Sequence, residues 1–454
     1  QEQYIGGETF TMRNMRENST YDNGSKYHIP EGGMHKVSNS TTSQITWKVQ
    51  GEWNQRFNDI HEVQVMGGSE IRKNWYDALA SNAYGYDPKT LTTKPLIFEE
   101  GDETSAKLYP LHTKSYTENA FSSFYANGSY TLMSRYTLGA SVRLDGSDLF
   151  GVDKKYRFLP IYSVSGLWRM SNEPFLKTAE SWLDNLALRV SYGLQGNIDK
   201  NTSPFLIGIY GNETLLPNNT ESSITISGAP NDKLRWEKTA SYNVGLDFSI
   251  LKSAINMSVD YYYRKGADLI GKKNLPFENG FESMTINWAS MENKGVEVNL
   301  QTRNITTRNF SWYTTFNFAY NYNKVLKDLT ESTSLTPGLQ GNPVGAIFAI
   351  KSEVDPETGR ILIYPKGGDK AVDVETLFDM KDESGIGFYT YNEDAEFRRN
   401  LYEYAGTTDA PYTGGLMNTL TYRNWELSFN FAYNLGAHVR TNPTYDITSF
   451  DPGH

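Results

Sequence analysis

Hydrophobic and polar residues alternate with a period of two over much of this 454-residue chain. In residues 424–436, Trp425, Leu427, Phe429, Phe431, Tyr433 and Leu435 fall on one face, and Glu426, Ser428, Asn430, Ala432 and Asn434 on the other. Residues 309–322 repeat the pattern, with Phe310, Trp312, Phe316, Phe318, Tyr320 and Tyr322 opposite Ser311, Thr315, Asn317 and Asn321. Residues 240–250 and 185–195 behave in the same way. This is the signature of a β-strand with one apolar and one polar face. It predicts strands at 43–57, 60–71, 116–129, 135–145, 160–170, 184–195, 239–250, 254–264, 293–302, 309–322, 412–421 and 424–436. Most exceed the five or six residues usual in globular sheets. Their length suits the roughly 9–11 residues of a tilted strand crossing a membrane.

The connections alternate in length as well. Short ones (58–59, 130–134, 251–253, 303–308 and 422–423) take turns with long ones (72–115, 196–238, 265–292 and 323–411), with 146–159 and 171–183 intermediate. A soluble sandwich has no reason to sort its loops by parity, whereas an outer-membrane barrel has short periplasmic turns and long external loops. Aromatic spacing agrees. Trp312 and Tyr320, like Trp425 and Tyr433, lie eight residues apart on one face, about 20 Å along the membrane normal at a tilt of about 40°. Aromatic girdles on an apolar band about 25 Å tall have that separation. The pattern therefore predicts an all-β fold, a transmembrane antiparallel β-barrel. The rival is a soluble antiparallel protein that buries the same faces in a core.

Composition sharpens the picture in three places. Aromatic residues make up 14% of the chain, enough to furnish girdles. There is no cysteine, which removes disulfides, thiolate zinc sites and thiol catalysis. The net charge of -10 argues against a nucleic-acid partner, since that affinity comes from Lys and Arg. The mean hydropathy of -0.56 and the lack of a long apolar run exclude membrane-spanning helices.

Catalytic chemistry is not legible. No two of the six histidines stand four apart on a helix, and no phosphate-binding or dinucleotide fingerprint occurs. Acidic clusters stand at Glu99, Glu100, Asp102 and Glu103, at Asp145, Asp148 and Asp153, and from Asp355 to Glu383. A loop-borne calcium site is one reading of them. The favoured reading is a solvated acidic loop, because no calcium-loop spacing is met, so no cofactor is expected. Arg143, Arg189, Asp247, Glu297 and Asn317 fall on polar faces and are expected to line a wet lumen. Sugar rings offer apolar faces and hydroxyl rims, so aromatics of the loops and rim are the candidate cargo contacts: Tyr84, Tyr86, Trp288, Phe348, Tyr389 and Tyr391. The long loop 323–411 contains strand-like pieces at 346–350 and 360–364, joined by Asp355-Pro-Glu-Thr-Gly359. An ordered external hairpin is expected there.

Several segments carry a resemblance. They are Arg143-Leu-Asp-Gly-Ser-Asp-Leu-Phe-Gly151, Phe158-Leu-Pro-Ile-Tyr-Ser-Val-Ser-Gly-Leu-Trp168, Asn172-Glu-Pro-Phe-Leu-Lys177, the run from Trp182 to Asn197, that from Leu234 to Asp247, Val259 to Lys265, Asn293-Lys-Gly-Val-Glu-Val298, and Tyr412 to Thr419. In this order they resemble the SusC/RagA family of TonB-dependent outer-membrane transporters of Bacteroidetes. The resemblance implies a 22-stranded barrel with an N-terminal plug, of which about 12 strands are expected here. It implies import of oligosaccharides or oligopeptides, a SusD-like surface lipoprotein as lid, and energy from TonB-ExbB-ExbD. Residues 1–454 are then part of the barrel domain, with plug and C-terminal strands outside this chain, and no enzyme activity. The alternatives are a surface β-rich enzyme acting on polysaccharides, which needs two close carboxylates in a cleft, and a passive porin or adhesin barrel.

Overall fold

The computed structural model describes the chain apart from residues 22–25, 99–108, 150–157, 198, 200–201, 203, 217–218, 227, 282, 329–333, 335, 365–370, 374–394 and 442–454. Its main body is one antiparallel sheet of thirteen strands. Twelve are long: β1 (Gly33–Phe57), β2 (His61–Tyr86), β3 (His112–Leu132), β4 (Tyr136–Ser147), β5 (Phe158–Arg169), β6 (Leu183–Asn197), β7 (Glu237–Ile250), β8 (Ile255–Asn274), β9 (Ser283–Thr306), β10 (Phe310–Lys327), β11 (Tyr412–Tyr422) and β12 (Trp425–Leu435). Each pairs with the next along the chain, so the sheet is a meander. The thirteenth strand, Glu2–Ile5, pairs with Met34–Val37 at the outer end of β1. Among the described residues no helix is long and apolar enough to cross a membrane.

The register keeps every apolar face on the same side. Directly opposed residues share a face, and one such row runs Val164, Tyr192, Tyr242, Tyr263, with Val190, Val244, Tyr261, Val296, Tyr320 and Tyr412 one step inward. These side chains have no second layer against them: Val190 is 47% exposed, Tyr242 49% and Tyr261 49%. A soluble sandwich would have buried them; a barrel wall presents them to lipid. The tyrosines form a ladder at the outer margin, with ring centroids 6.0 Å apart for Tyr162–Tyr192, 4.7 Å for Tyr192–Tyr242 and 6.1 Å for Tyr242–Tyr263. At the inner margin Tyr136 stacks near Trp168, 6.4 Å away. The inner hairpins are tight. Asn58, Asp59, Met133, Ser134 and Arg423 take positive φ, the twist that a short hairpin turn demands.

The sequence reading is corrected where strands leave the membrane. The connection expected at 265–292 shrinks to 275–282, that at 72–115 shrinks to 87–111, and the opening segment read as loop to residue 42 is strand from Gly33. Beyond the lipid both faces of a hairpin are wet. Pairing continues there without the alternation that marks a strand in sequence. A small core outside the wall (Met12, Ile29, Met34, Tyr84) anchors the extended β1–β2 hairpin. A second (Leu159, Leu234, Trp236) lies where β5 meets the segment leading into β7.

Candidate functional site

The face opposite the apolar one is polar, and its charges are organised. Arg189, Gly245 and Asp260 occupy one rung across β6, β7 and β8. Arg189 Nε and Nη2 donate to the two oxygens of Asp247 at 2.8 and 2.9 Å, and Nη2 also donates to Asp260 Oδ2 at 3.0 Å. A planar guanidinium satisfies two carboxylates in this way where an ammonium could not. The guanidinium crosses the middle strand at Gly245. A Cβ there would come within 2.4 Å of Asp260 Oδ1 and 2.7 Å of Arg189 Cζ.

The same device recurs. Tyr262 leans across Gly295 so that its hydroxyl donates to Asn321 Oδ1 at 2.9 Å. Tyr125 leans across Gly68 to Gln50 Oε1 at 3.2 Å. Nearer β3, Arg143 forms a separate cluster, donating to Asp145 Oδ1 at 2.6 Å and Ser123 Oγ at 2.8 Å. Two open grooves lie on this wall. One is lined by Lys48, Gln50, Glu70, Tyr125 and Arg143. The other is lined by Asp260, Glu297, Asn299, Asn317, Thr413 and Asn434. Carboxylates, amides and hydroxyls there offer both donors and acceptors to a polar solute.

At the outer end, the long connection after β10 is sewn to the wall. Val344 N donates to Asn323 Oδ1 at 2.7 Å, Val325 N to Asn342 O at 2.8 Å, and Gly341 N to Val325 O at 2.8 Å. The strand-like piece Ala346–Ile350 pairs with Tyr402–Thr407, not with the piece expected. The hairpin instead joins Ser352–Val354 to Ile361–Ile363 about the turn Asp355–Gly359, as the turn residues require. Asp355 caps that turn. It accepts from Thr358 Oγ1 at 2.6 Å and Glu357 N at 2.9 Å, and these bonds, the hydroxyl's first, hold its carboxyl below the usual carboxylate range.

Over residues 4–446 the sequence matches a family described as TonB dependent receptor-like, beta-barrel. The chain belongs to the TonB-dependent receptor β-barrel family. It is 29% identical over 418 residues to TonB-dependent receptor P39 of Formosa agariphila, covering 85% of this chain and 39% of that protein. It is 32% identical over 216 residues to TonB-dependent receptor SusC of Bacteroides thetaiotaomicron, covering 46% of this chain and 21% of SusC. Among solved structures, the RagAB peptide importer in its open-open state shares its fold, with TM-score 0.72 and 22% identity over 91% of this chain and 42% of that one. The chain therefore spans about two fifths of P39 and of the RagAB chain it matches. It forms part of the wall of an outer-membrane barrel.

Within this TonB-dependent receptor wall the aromatic candidates are scattered. Tyr84 and Tyr86 end β2 instead of standing in a loop; Tyr84 is buried in the small outer core, and Tyr86 stacks on His35 at 4.7 Å. Trp288 lies in β9 at a slip of its pairing with β8, with Lys327 Nζ 3.4 Å above its ring. Phe348 lies in the strand paired with Tyr402–Thr407, and its carbonyl accepts from Arg440. Tyr389 and Tyr391 lie outside the described residues. Of the acidic clusters, Asp145 is tied to Arg143 and Asp148 accepts from Ala120 N at 3.0 Å. Among the described residues no three His, Asp or Glu are placed to hold a metal. Glu99, Glu100, Asp102, Glu103, Asp153 and much of the 355–383 cluster fall outside them.

Sequence reading missed Glu173, in the short 3₁₀ turns between β5 and β6. Its carboxylate is buried beneath the inner girdle. It accepts from Tyr136 Oη, from Trp168 Nε1 at 3.1 Å, and faces Arg135 at 3.5 Å. The Tyr136 bond first, then the Trp168 bond, hold its carboxyl below the usual range. An Asn-Glu-Pro run after a strand ending in Trp was the available signal.

Proposed function

We propose that this chain is the lumen wall and external mouth of an active nutrient importer of the SusC type. Oligosaccharides, or oligopeptides, are captured beneath a SusD-like lipoprotein lid and drawn inward with TonB energy. The supporting observation is the pairing of a continuous apolar face with a polar wall whose grooves carry Asp260, Glu297, Asn299, Asn317 and Asn434. Such a wall binds and releases hydroxyl- or amide-rich solutes without performing chemistry on them. The relatives support active import, since two are named TonB-dependent receptors and a fold relative is a peptide importer. Cargo contacts at the mouth fall to Tyr86, Trp288 and Phe348 among the described candidates.

Uptake by cells carrying the full-length protein tests this. Labelled oligosaccharide and oligopeptide pools should enter only with an intact TonB system and lid lipoprotein. Entry that survives loss of TonB would mark a passive porin. Turnover of the cargo by purified protein would mark an enzyme.

A further inference from the structure

The apolar face does not stay apolar at its outer margin. One step beyond the tyrosine ladder, the rung across β8, β9 and β10 reads Lys265, Glu292, Lys324, and the rung at the ladder itself reads Tyr263, Lys294, Tyr322. All six side chains belong to the lipid-facing row of their strands. Lys265 and Lys294 are exposed, and Lys324 is partly so. Glu292 is engaged by the Tyr263 hydroxyl at 3.1 Å. Among the described residues no carboxylate oxygen lies within 4.0 Å of any of the three ammonium groups. Lys294 instead rests 4.9 Å from the centroid of Tyr322, which leaves its outward side open.

Three cations and one anion thus stand together at the depth where a girdle meets the headgroups, with a net excess of positive charge. Elsewhere on this face the design is different. Lys73 is closed by Glu118 at 2.6 Å, and Lys114 faces Asp77 at 3.5 Å. Lysine near a membrane margin snorkels to reach headgroup oxygens. Clustered lysines select the most anionic headgroup in reach. In the outer leaflet of a Gram-negative outer membrane that group is the phosphate of the phosphorylated glycolipid.

We propose that Lys265, Lys294 and Lys324 form a binding site for the phosphomonoester headgroup of the outer-leaflet glycolipid. Lys265 and Lys324 lie two strands apart, about 10 Å between backbones, with Lys294 one step inward on the strand between them. The tyrosine ladder supplies the adjoining surface for the glucosamine and the first acyl carbons. The site fixes which arc of the wall the glycolipid packs against. It is independent of cargo, so it stands or falls separately from the import reading.

The test uses the full-length receptor purified in mild detergent and titrated with bisphosphorylated lipid A, followed by native mass spectrometry. The triple variant K265Q/K294Q/K324Q should bind about tenfold more weakly or worse, as expected for loss of several juxtamembrane charges. The triple arginine variant should retain binding, and K252Q, on a periplasmic turn, should match the wild type. Dephosphorylated lipid A should bind the wild type as weakly as the triple variant binds the intact lipid. Equal binding of intact lipid by wild type and triple glutamine variant overturns the site. So does equal binding of phosphorylated and dephosphorylated lipid by the wild type, which would leave only an acyl-chain contact. Heat-modifiable migration on gels confirms that each variant is folded.

Discussion

Arg189 reaches Asp260 across the strand that lies between them, its Nη2 donating to Oδ2 at 3.0 Å over the bare backbone of Gly245. The middle residue of that rung must lack a side chain for the two outer ones to meet. G245A should therefore displace the guanidinium and leave Asp247 and Asp260 facing each other less well compensated. We expect a loss of about 1–3 kcal/mol in barrel stability. Thermal unfolding in detergent measures it, and an unchanged midpoint would show the crossing to be dispensable.

G295A is the companion experiment. Its Cβ would meet Tyr320 O at 2.1 Å and Tyr262 Oη at 2.6 Å, and the nearer atom is backbone, which cannot swing away. The expected loss is larger than for G245A. Y262F should cost less, about 1 kcal/mol, because it deletes the hydroxyl bond without adding volume. The order of the two unfolding midpoints is the readout.

Asn418 is a polar residue buried in the lipid-facing row. Its Oδ1 accepts from Trp312 Nε1 at 2.9 Å and Thr314 Oγ1 at 2.7 Å. N418L leaves two donors unmatched at a cost of about 1–3 kcal/mol each. The triple variant N418L/W312F/T314V removes donors and acceptor together and should recover much of that loss. Urea unfolding in lipid vesicles compares the two. A triple variant as unstable as N418L would show that shape, not pairing, holds the site.

Glu173 gives a pH prediction. Its folded carboxyl lies below the usual range because Tyr136 and Trp168 donate to the charged form. Its contribution is therefore complete above the unfolded value, about 4.3, and is lost as pH falls through the lower folded value. Between pH 5 and pH 3 the tryptophan emission of the inner girdle should shift in the wild type. In E173Q, which carries no proton-dependent charge, that shift should be smaller. Identical titrations would remove Glu173 from the acid response.

The hairpin about Asp355–Gly359 should open without harm to the barrel. Gly359 has φ of +71° and open space where a Cβ would stand, so the strain in G359V is of the backbone alone, about 1–2 kcal/mol. Limited proteolysis should cut G359V faster between 355 and 360. The heat-modifiable gel shift of the barrel should stay as in the wild type.

Much of the wall was legible residue by residue. Trp425, Leu427 and Phe429 announce a strand with one apolar face because the two sides meet different solvents. The outer half of β9 was not legible. Around Ser290 both faces are wet and the period-two signal fades, although pairing with β10 continues. The mouth was half legible. Asp355-Pro-Glu-Thr-Gly359 fixed its own turn by local chemistry, whereas Ile347 and Phe348 found Gly406 and Tyr404, more than fifty residues away. No local pattern chooses between partners that distant. Glu173 was missed because its meaning depends on Tyr136 and Trp168 converging from two other strands.

The sequence by itself determined the alternation, the order of hairpins and the sidedness of the loops. Each of these depends only on the solvent that a residue meets or on the few residues of a turn. The tertiary structure alone decided which polar residues meet across the wall. Arg189 with Asp260, Tyr262 with Asn321 and Trp312 with Asn418 depend on register between strands, and register aligns residues whose separation along the chain carries no signal. The glycines beneath two of those crossings look incidental in sequence. They acquire their reason only when the neighbouring strands are in place.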